Sequence, residues 1–246
     1  MIASLPMYDR PETAAAHDAL WAGIREGLRA RGGQAPDGLT RSDDLWAVWE
    51  DPGLVLGQTC GLPFRSRLHD RVTLVGAPDL RLPDAAPGHY YSVFVIRRGD
   101  SGDLADYAAR RFAFNQGHSH SGWAAPQTVA ARQGFRFTQG VETGAHAQSA
   151  RAVAEGRADI AAIDAHTWRA LTAFDGDMVQ RLEVIGRTDT TPAPPYIAAR
   201  GADADLLAEV LERAFDGLAA AHADRLGIGG VVRVPKAAYM AVPTPP

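Results

Sequence analysis

Phe112-Ala-Phe-Asn-Gln-Gly-His-Ser-His-Ser-Gly-Trp123 reads as a short apolar strand, a polar turn and the start of a helix. Ser119, Ser121 and Gly122 fall where that helix begins. The first backbone N–H groups of a helix have no intrahelical acceptor, and that end carries partial positive charge. Serine is a favoured N-cap, and glycine lets a ligand approach the backbone closely. A strand, a turn and a helix start of this composition make a cradle for an oxyanion such as a phosphate or phosphonate. An ordinary capped helix has the same signature, so the rest of the chain must decide.

Downstream, Ala124 to Arg132 continues the helix, with Pro126 a few residues inside it removing one backbone donor. Residues 142–156 hold a further helix, with Ala150, Val153 and Ala154 inward and Gly156 as its stop. Ala158 to Ile163 is a strand ending in Asp164, Thr167 to Phe174 a helix, and Leu182 to Ile185 a strand. Upstream, Tyr90 to Ile96 is the strongest strand signal, aromatic and β-branched throughout. The chain opens with a strand at Ile2 to Met7, then a helix carrying Leu20, Trp21, Ile24 and Leu28 at helical spacing until Gly32-Gly33. Ser42 or Asp43 caps a short helix through Trp49. Leu54 to Gln58 is a short apolar run, and Val72 to Val75 a strand. A last strand spans Tyr196 to Ala199, and an amphipathic helix is marked by Leu207, Val210, Leu211, Ala214 and Leu218. Strands alternating with helices predict an α/β architecture with mainly parallel sheets flanked by helices.

The 246 residues suffice for two lobes, each with its own core. A net charge of −4 gives a nucleic-acid partner no electrostatic support. One cysteine permits no intrachain disulfide, and no apolar run approaches the length of a membrane span. Residues 1–8 lack the basic-then-apolar pattern of an export signal and read as a structural strand. The protein therefore either stays in the cytoplasm or is numbered from after a removed signal.

Polar residues collect at the ends of the expected strands, where ligands of open α/β sheets bind. They are Tyr8-Asp9, Gln58-Thr59-Cys60-Gly61, residues 117–122 and Asp164, with His146 opening another helix. Cys60 is either a nucleophile or a small packed residue. His118, His120 and His146 lack cysteine or carboxylate partners at metal-ligand spacing, so no metal is expected. His146 either donates to an anion or is a plain packed histidine. Tyr90 and Tyr91 alternate across their strand, so one of them faces any given side. Asp164 either accepts a hydrogen bond from a protonated ligand oxygen or caps the next helix. No glycine-rich nucleotide loop, catalytic triad or carboxylate pair is present in the pattern. No cofactor is expected, and binding is favoured over chemistry.

Gln58-Thr-Cys-Gly-Leu-Pro63, Val75-Gly-Ala-Pro78, Tyr90-Tyr-Ser-Val93 and Asn115-x-x-x-Ser-x-Ser-Gly122 occur in one order. Gly144-Ala-His146, Ala152-Val-x-x-Gly-x-Ala-Asp-Ile-Ala-Ala-Ile-Asp164 and Leu226-Gly-Ile-Gly-Gly230 follow. The set resembles the substrate-binding proteins of phosphate/phosphite/phosphonate ABC transporters, from Met1 to about Tyr239. The resemblance implies a type II periplasmic-binding-protein fold, with two α/β lobes joined by two crossover strands near Tyr91–Val93 and Gly186–Asp189. Lobe one would be 1–91 plus 190–246, lobe two 92–189, with ligand in the cleft. It further implies Ser119, His120 and Ser121 as the anion cradle, His146 as a donor, Tyr90 or Tyr91 from the hinge side, and Asp164 after the strand. Tyr8 and Thr59 would face them. The implied protein is a periplasmic monomer that binds a small oxyanion and meets an ABC permease.

Two alternatives belong to other classes. One is an enzyme on the same scaffold, using Cys60, His120, His146 or Asp164 as acid, base or nucleophile. The other is a cytoplasmic sensor that reports ligand by lobe closure.

Overall fold

A computed structural model of the chain describes residues 1–245. The strand β1 (Ile2–Ser4) is shorter than its apolar run, because the chain turns at Pro6. Thr13 then holds the turn: its hydroxyl donates to the Tyr8 carbonyl at 2.8 Å and accepts from the Arg10 N–H at 3.0 Å. The helix α1 (Ala14–Arg29) follows, burying Leu20, Trp21, Ile24 and Leu28 on one face as their spacing predicts. It is stopped by Gly32, whose φ of +76° suits glycine. The short α2 (Leu45–Trp49) is capped by Asp44, which accepts from the Ala47 N–H at 3.0 Å; the cap is thus neither Ser42 nor Asp43.

After β2 (Leu54–Gln58) comes α3 (Gly61–Pro63), continued by a π-helical turn Phe64–Leu68. The chain goes on through β3 (Val72–Pro78), β4 (His89–Tyr90), β5 (Ser92–Arg97) and β6 (Arg111–Phe114). Tyr90 to Ile96 is therefore two strands broken at Tyr91, not one. Then come α4 (Ala125–Arg132), β7 (Gln139–Glu142), α5 (His146–Ala154), β8 (Ile160–Asp164), α6 (Ala165–Phe174), α7 (Gly176–Val179), β9 (Leu182–Arg187) and β10 (Thr191–Pro192). The last elements are β11 (Tyr196–Ala199), α8 (Ala204–Asp216), α9 (Ala220–Leu226), β12 (Val231–Val232) and α10 (Lys236–Met240). Leu218 lies beyond the end of α8, whereas Leu207, Val210, Leu211 and Ala214 are buried on it.

The backbone divides into two compact units. One comprises Met1–His89 with Pro192–Ala241; the other comprises Tyr90–Thr191 with residues 242–245. The two segments at these crossings, β4 and β10, pair as a two-stranded ribbon. The first unit carries the sheet β1-β2-β11-β3-β12, and the second β7-β6-β8-β5-β9. Both sheets are mixed, which corrects the expectation of mainly parallel pairing. β1 and β2 run parallel, but β11 lies antiparallel between β2 and β3. β7, β6 and β8 run parallel, but β5 is antiparallel to both β8 and β9. In each unit the reversed interior strand is the first one built after the chain crosses. Sequence periodicity identifies a buried strand but carries no sign of its direction.

The second unit buries both faces of its sheet. Val93 and Val95 of β5 point to one side, where Ala150, Val153, Leu171 and Met178 pack. Phe94 and Ile96 point to the other, with Tyr107, Phe112, Phe114 and Phe137. Phe112 and Phe137 stack at 4.4 Å between ring centres. Burying each such side chain contributes roughly 1.5–3 kcal/mol. The result is a rigid sheet whose β6 and β8 ends carry the polar residues described next.

Candidate functional site

β6 ends at Phe114, residues 115–118 turn, and Ser119 caps the next helical run. The Ser119 hydroxyl accepts from the Gly122 N–H at 3.1 Å. The first turn, His120–Ala124, is π-helical: the Ala124 N–H reaches back to the Ser119 carbonyl at 3.0 Å. This solves the problem of Pro126. A wider turn shifts the bonding register just ahead of the residue that cannot donate, and α4 follows with Pro126 in its first turn.

The next strand–helix connection is tied to this one. The Thr143 N–H donates to the Phe114 carbonyl at 2.9 Å, and the Gly144 N–H to the Asn115 carbonyl at 2.8 Å. His146, first residue of α5, is thereby set beside the cradle, its Nε2 2.8 Å from the Ser121 Oγ. The Ser92 hydroxyl at the start of β5 donates to the Ser121 carbonyl at 2.9 Å. The backbone N–H of Ser92 donates to Thr188 Oγ1 at 2.9 Å. Ser92 is also the register partner of Asp164. Buried Asp164 caps α6 by accepting from the Thr167 N–H at 2.9 Å, so the capping alternative is realised. His120 places Nε2 3.0 Å from Thr191 Oγ1, and its ring lies 6.2 Å from that of buried Tyr90.

Ser119, His120, Ser121, Gly122, His146, Tyr90 and Asp164 thus belong to one polar cluster of the second unit. Tyr91 is turned elsewhere: it packs on the Val93 side of the sheet, with the Arg187 guanidinium 5.0 Å over its ring. Tyr8, Thr59 and Cys60 belong to the first unit. There β1 pairs with β2, Thr59 directly follows β2, and Cys60 occupies the N-cap position of α3. Thr59 is fully buried, and its Oγ1 makes no hydrogen bond. Sequence reasoning missed Ser92, Asn115, Thr188 and Thr191. Ser92 and Asn115 did stand inside the motifs Tyr90-Tyr-Ser-Val93 and Asn115-x-x-x-Ser-x-Ser-Gly122, but with no role attached to either.

Gly122 also meets a packing constraint. A Cβ on it would stand 2.0 Å from Asn115 Oδ1 and 3.2 Å from His146 Cε1. The space is taken by these two side chains of the same cluster.

Burial pushes His146 down to about 4, against a weaker opposing pull from the Ala162 carbonyl. Its Nδ1 is out of solvent and makes no hydrogen bond of regular geometry. The ring is neutral at neutral pH. It is a poor general base, and no carboxylate orients it as a catalytic dyad requires. No group of His, Cys, Asp and Glu able to hold a metal occurs among the described residues.

A sign follows for pH. The folded-state value of His146 lies below its ordinary 6.5, so protonation favours the unfolded chain. Its stabilising share is complete above about pH 6.5 and is lost as pH falls toward 4, in all about 3 kcal/mol. His17 and His118, also lowered chiefly by burial, act in the same direction. His146→Gln is expected to shallow the acid limb of stability measured by denaturant titration between pH 7 and 4.5. Superimposable limbs would refute it.

Residues 76–239 match the family model described as ABC transporter, phosphonate, periplasmic substrate-binding protein. No curated protein sequence is significantly similar to the chain. Among solved structures, PhnD1 of Prochlorococcus marinus in complex with methylphosphonate aligns with a TM-score of 0.75 at 16% identity, covering 97% of this chain and 94% of that one. A binding-protein component of a Pseudomonas aeruginosa ABC phosphonate transporter aligns at 0.68 and 16% identity, covering 97% and 82%. A Xanthomonas citri protein bound to ATP aligns at 0.71 and 14% identity, covering 97% and 92%. At such low identity these likenesses establish the fold, which is that of the periplasmic binding proteins.

Proposed function

Because the chain belongs to the family of periplasmic substrate-binding proteins of phosphonate ABC transporters, we propose that it binds a small phosphorus oxyanion at the Ser119-capped helix start and delivers it to a permease. The single observation that carries this reading is the joined cluster of Ser119, Ser121 and His146, set at the strand end by backbone hydrogen bonds. It offers an anion neutral donors and the positive end of a helix dipole. No metal is needed for this, and no lysine is involved. The Ser119 hydroxyl accepts from Gly122 and keeps its own proton for the ligand.

In the first unit, Thr59 at the end of β2 and Tyr8 after β1 are the groups proposed to face ligand. Thr59 is the better supported, since a buried hydroxyl without a partner costs free energy that a ligand oxygen recovers. The proposal includes export to the periplasm, action as a monomer, and no catalysis. Cys60, buried at the N-cap position of α3, is read as a small packed residue.

The test is a thermal-shift screen against phosphate, phosphite, methylphosphonate, 2-aminoethylphosphonate, ATP, sulfate and small carboxylates. Binding to the folded state raises the melting temperature by mass action, about 2.7 kcal/mol at a hundredfold excess over Kd. A selective shift with one phosphorus oxyanion is expected. A shift with carboxylates alone, or with none of the panel, would overturn the reading.

A further inference from the structure

The chain re-enters the first unit through Pro192-Ala-Pro-Pro195, a segment with three prolines and a single N–H donor, that of Ala193. Proline fixes φ, so this stretch is stiff, and its carbonyls are the handles left for fastening it. All three carbonyls from Ala193 to Pro195 are taken. The Tyr239 hydroxyl donates to Ala193 at 2.7 Å, the Gln58 Nε2 to Pro194 at 3.2 Å, and the Thr59 N–H to Pro195 at 3.0 Å. The one donor is used as well, from Ala193 to the Gly88 carbonyl at 2.8 Å.

The two side-chain fasteners are themselves fixed. Gln58 is buried, its carbonyl accepts from the Trp49 indole N–H at 2.9 Å, and it pairs with Tyr196 across the sheet. Tyr239 is buried on the short α10, with its ring set edge-on to Phe64 at 5.0 Å. Phe64 in turn donates its N–H to the Cys60 carbonyl at 3.1 Å. Tyr239 therefore touches both the re-entering segment and the helical turn that begins at Cys60.

We infer that Tyr239 and Gln58 are positioning residues that lock Ala193–Pro195 and the Thr59–Cys60 turn into one block. The block holds Thr59 in a fixed orientation and joins it to the segment by which the chain crosses between units. The ligand consequence rests on the reading above that Thr59 faces the oxyanion. The mechanical coupling does not. Tyr239 and Gln58 touch no ligand; they act through Thr59.

Tyr239→Phe tests this by removing one hydroxyl while keeping the ring against Phe64, and Gln58→Met removes the other donor at nearly constant shape. Amide hydrogen exchange is read at Thr59 and Ala193, relative to Leu56 in the middle of β2. An unpaired buried carbonyl makes local opening easier, so exchange at Thr59 and Ala193 is expected to accelerate about tenfold over Leu56 in both variants. Leu207→Ala, in the α8 core, is the control: a merely global loss of stability moves all three amides together. Methylphosphonate dissociation, followed by stopped flow, is expected to quicken severalfold in Tyr239→Phe with association unchanged. An unaltered exchange ratio in both variants overturns the coupling. If the wild type binds no oxyanion, the functional reading fails, while the exchange ratio still decides the coupling.

Discussion

Gly122→Ala is expected to lower the melting temperature by several degrees and to weaken oxyanion binding at least tenfold. The sign is what makes this informative. Gly122 lies in the first turn of a helical run, where alanine is ordinarily the better residue by about 1 kcal/mol. Here the added methyl group would fall 2.0 Å from Asn115 Oδ1, 3.0 Å from its Cγ and 3.2 Å from His146 Cε1. The Asn115 backbone is held, since its carbonyl accepts from the Gly144 N–H, so its side chain, with Oδ1 buried, must rotate within a packed site to make room. His146 cannot move without leaving the Ser121 Oγ. Overpacking of this kind typically costs 1–3 kcal/mol, which outweighs the gain in helix propensity. For a chain of 246 residues each kcal/mol is about 2–4 °C. Scanning calorimetry and ligand titration check both halves. A raised melting temperature with full affinity would show that glycine there serves neither packing nor binding.

The same residue shows what the sequence carries and what it does not. Ser-x-Ser-Gly at a helix start could be read as a cradle because capping is local: one hydroxyl, one backbone N–H, three residues apart. The packing constraint on the glycine was not local. It depends on Asn115 and on His146, which are brought there by the Thr143 and Gly144 hydrogen bonds to the preceding strand end. Buried helices and strands were legible through periodicity, as with Leu20, Trp21, Ile24 and Leu28. Strand direction was not, because Tyr196–Ala199 has the same apolar pattern whichever way it runs beside β2. The break at Tyr91 was also hidden, since Tyr90 to Ile96 is uniformly β-prone while the ribbon and the sheet claim its two ends separately. Ser92, though part of the quoted Tyr90-Tyr-Ser-Val93, received no role for a related reason. A small polar residue at the start of an apolar strand is unremarkable until its hydroxyl is found on the Ser121 carbonyl.

His146 sharpens the contrast between binding and catalysis. A histidine 2.8 Å from a serine hydroxyl at a helix N-terminus has the spacing of a nucleophile and its base. Burial holds it down to about 4, so the ring is neutral at neutral pH, and among the described residues its far nitrogen meets no carboxylate. A neutral imidazole of this kind contributes a hydrogen bond without adding charge. Under the proposed binding function this favours release, because a full ion pair buried with the ligand would be costly to separate.

The double variant Ser119→Ala plus Ser121→Ala is expected to raise the Kd for the bound oxyanion by about a thousandfold while leaving the chain folded. The two hydroxyls act differently. Ser119 removal uncaps the Gly122 N–H, at about 1 kcal/mol of stability, and withdraws one proton from the anion. With the His146 Nε2–H donating to Ser121 Oγ, the Ser121 proton is free for the anion; Ser121 removal takes away this second donor and leaves the His146 Nε2 without its partner. Its backbone carbonyl still accepts from Ser92, so the π-helical turn keeps its anchor. A hydrogen bond to a charged group contributes about 1.5–3 kcal/mol, and two of them set the thousandfold scale. The helix dipole survives in the double variant, which leaves a weak, unselective residual attraction for anions. Calorimetric titration with the best oxyanion of the screen measures the affinity, and far-UV circular dichroism with a melting curve measures the fold. Unchanged affinity in a folded double variant would move the binding site away from this helix altogether. Lost affinity with lost structure would be resolved by the single variant Ser121→Ala, which leaves the cap in place and is expected to account for roughly half of the effect on the free-energy scale.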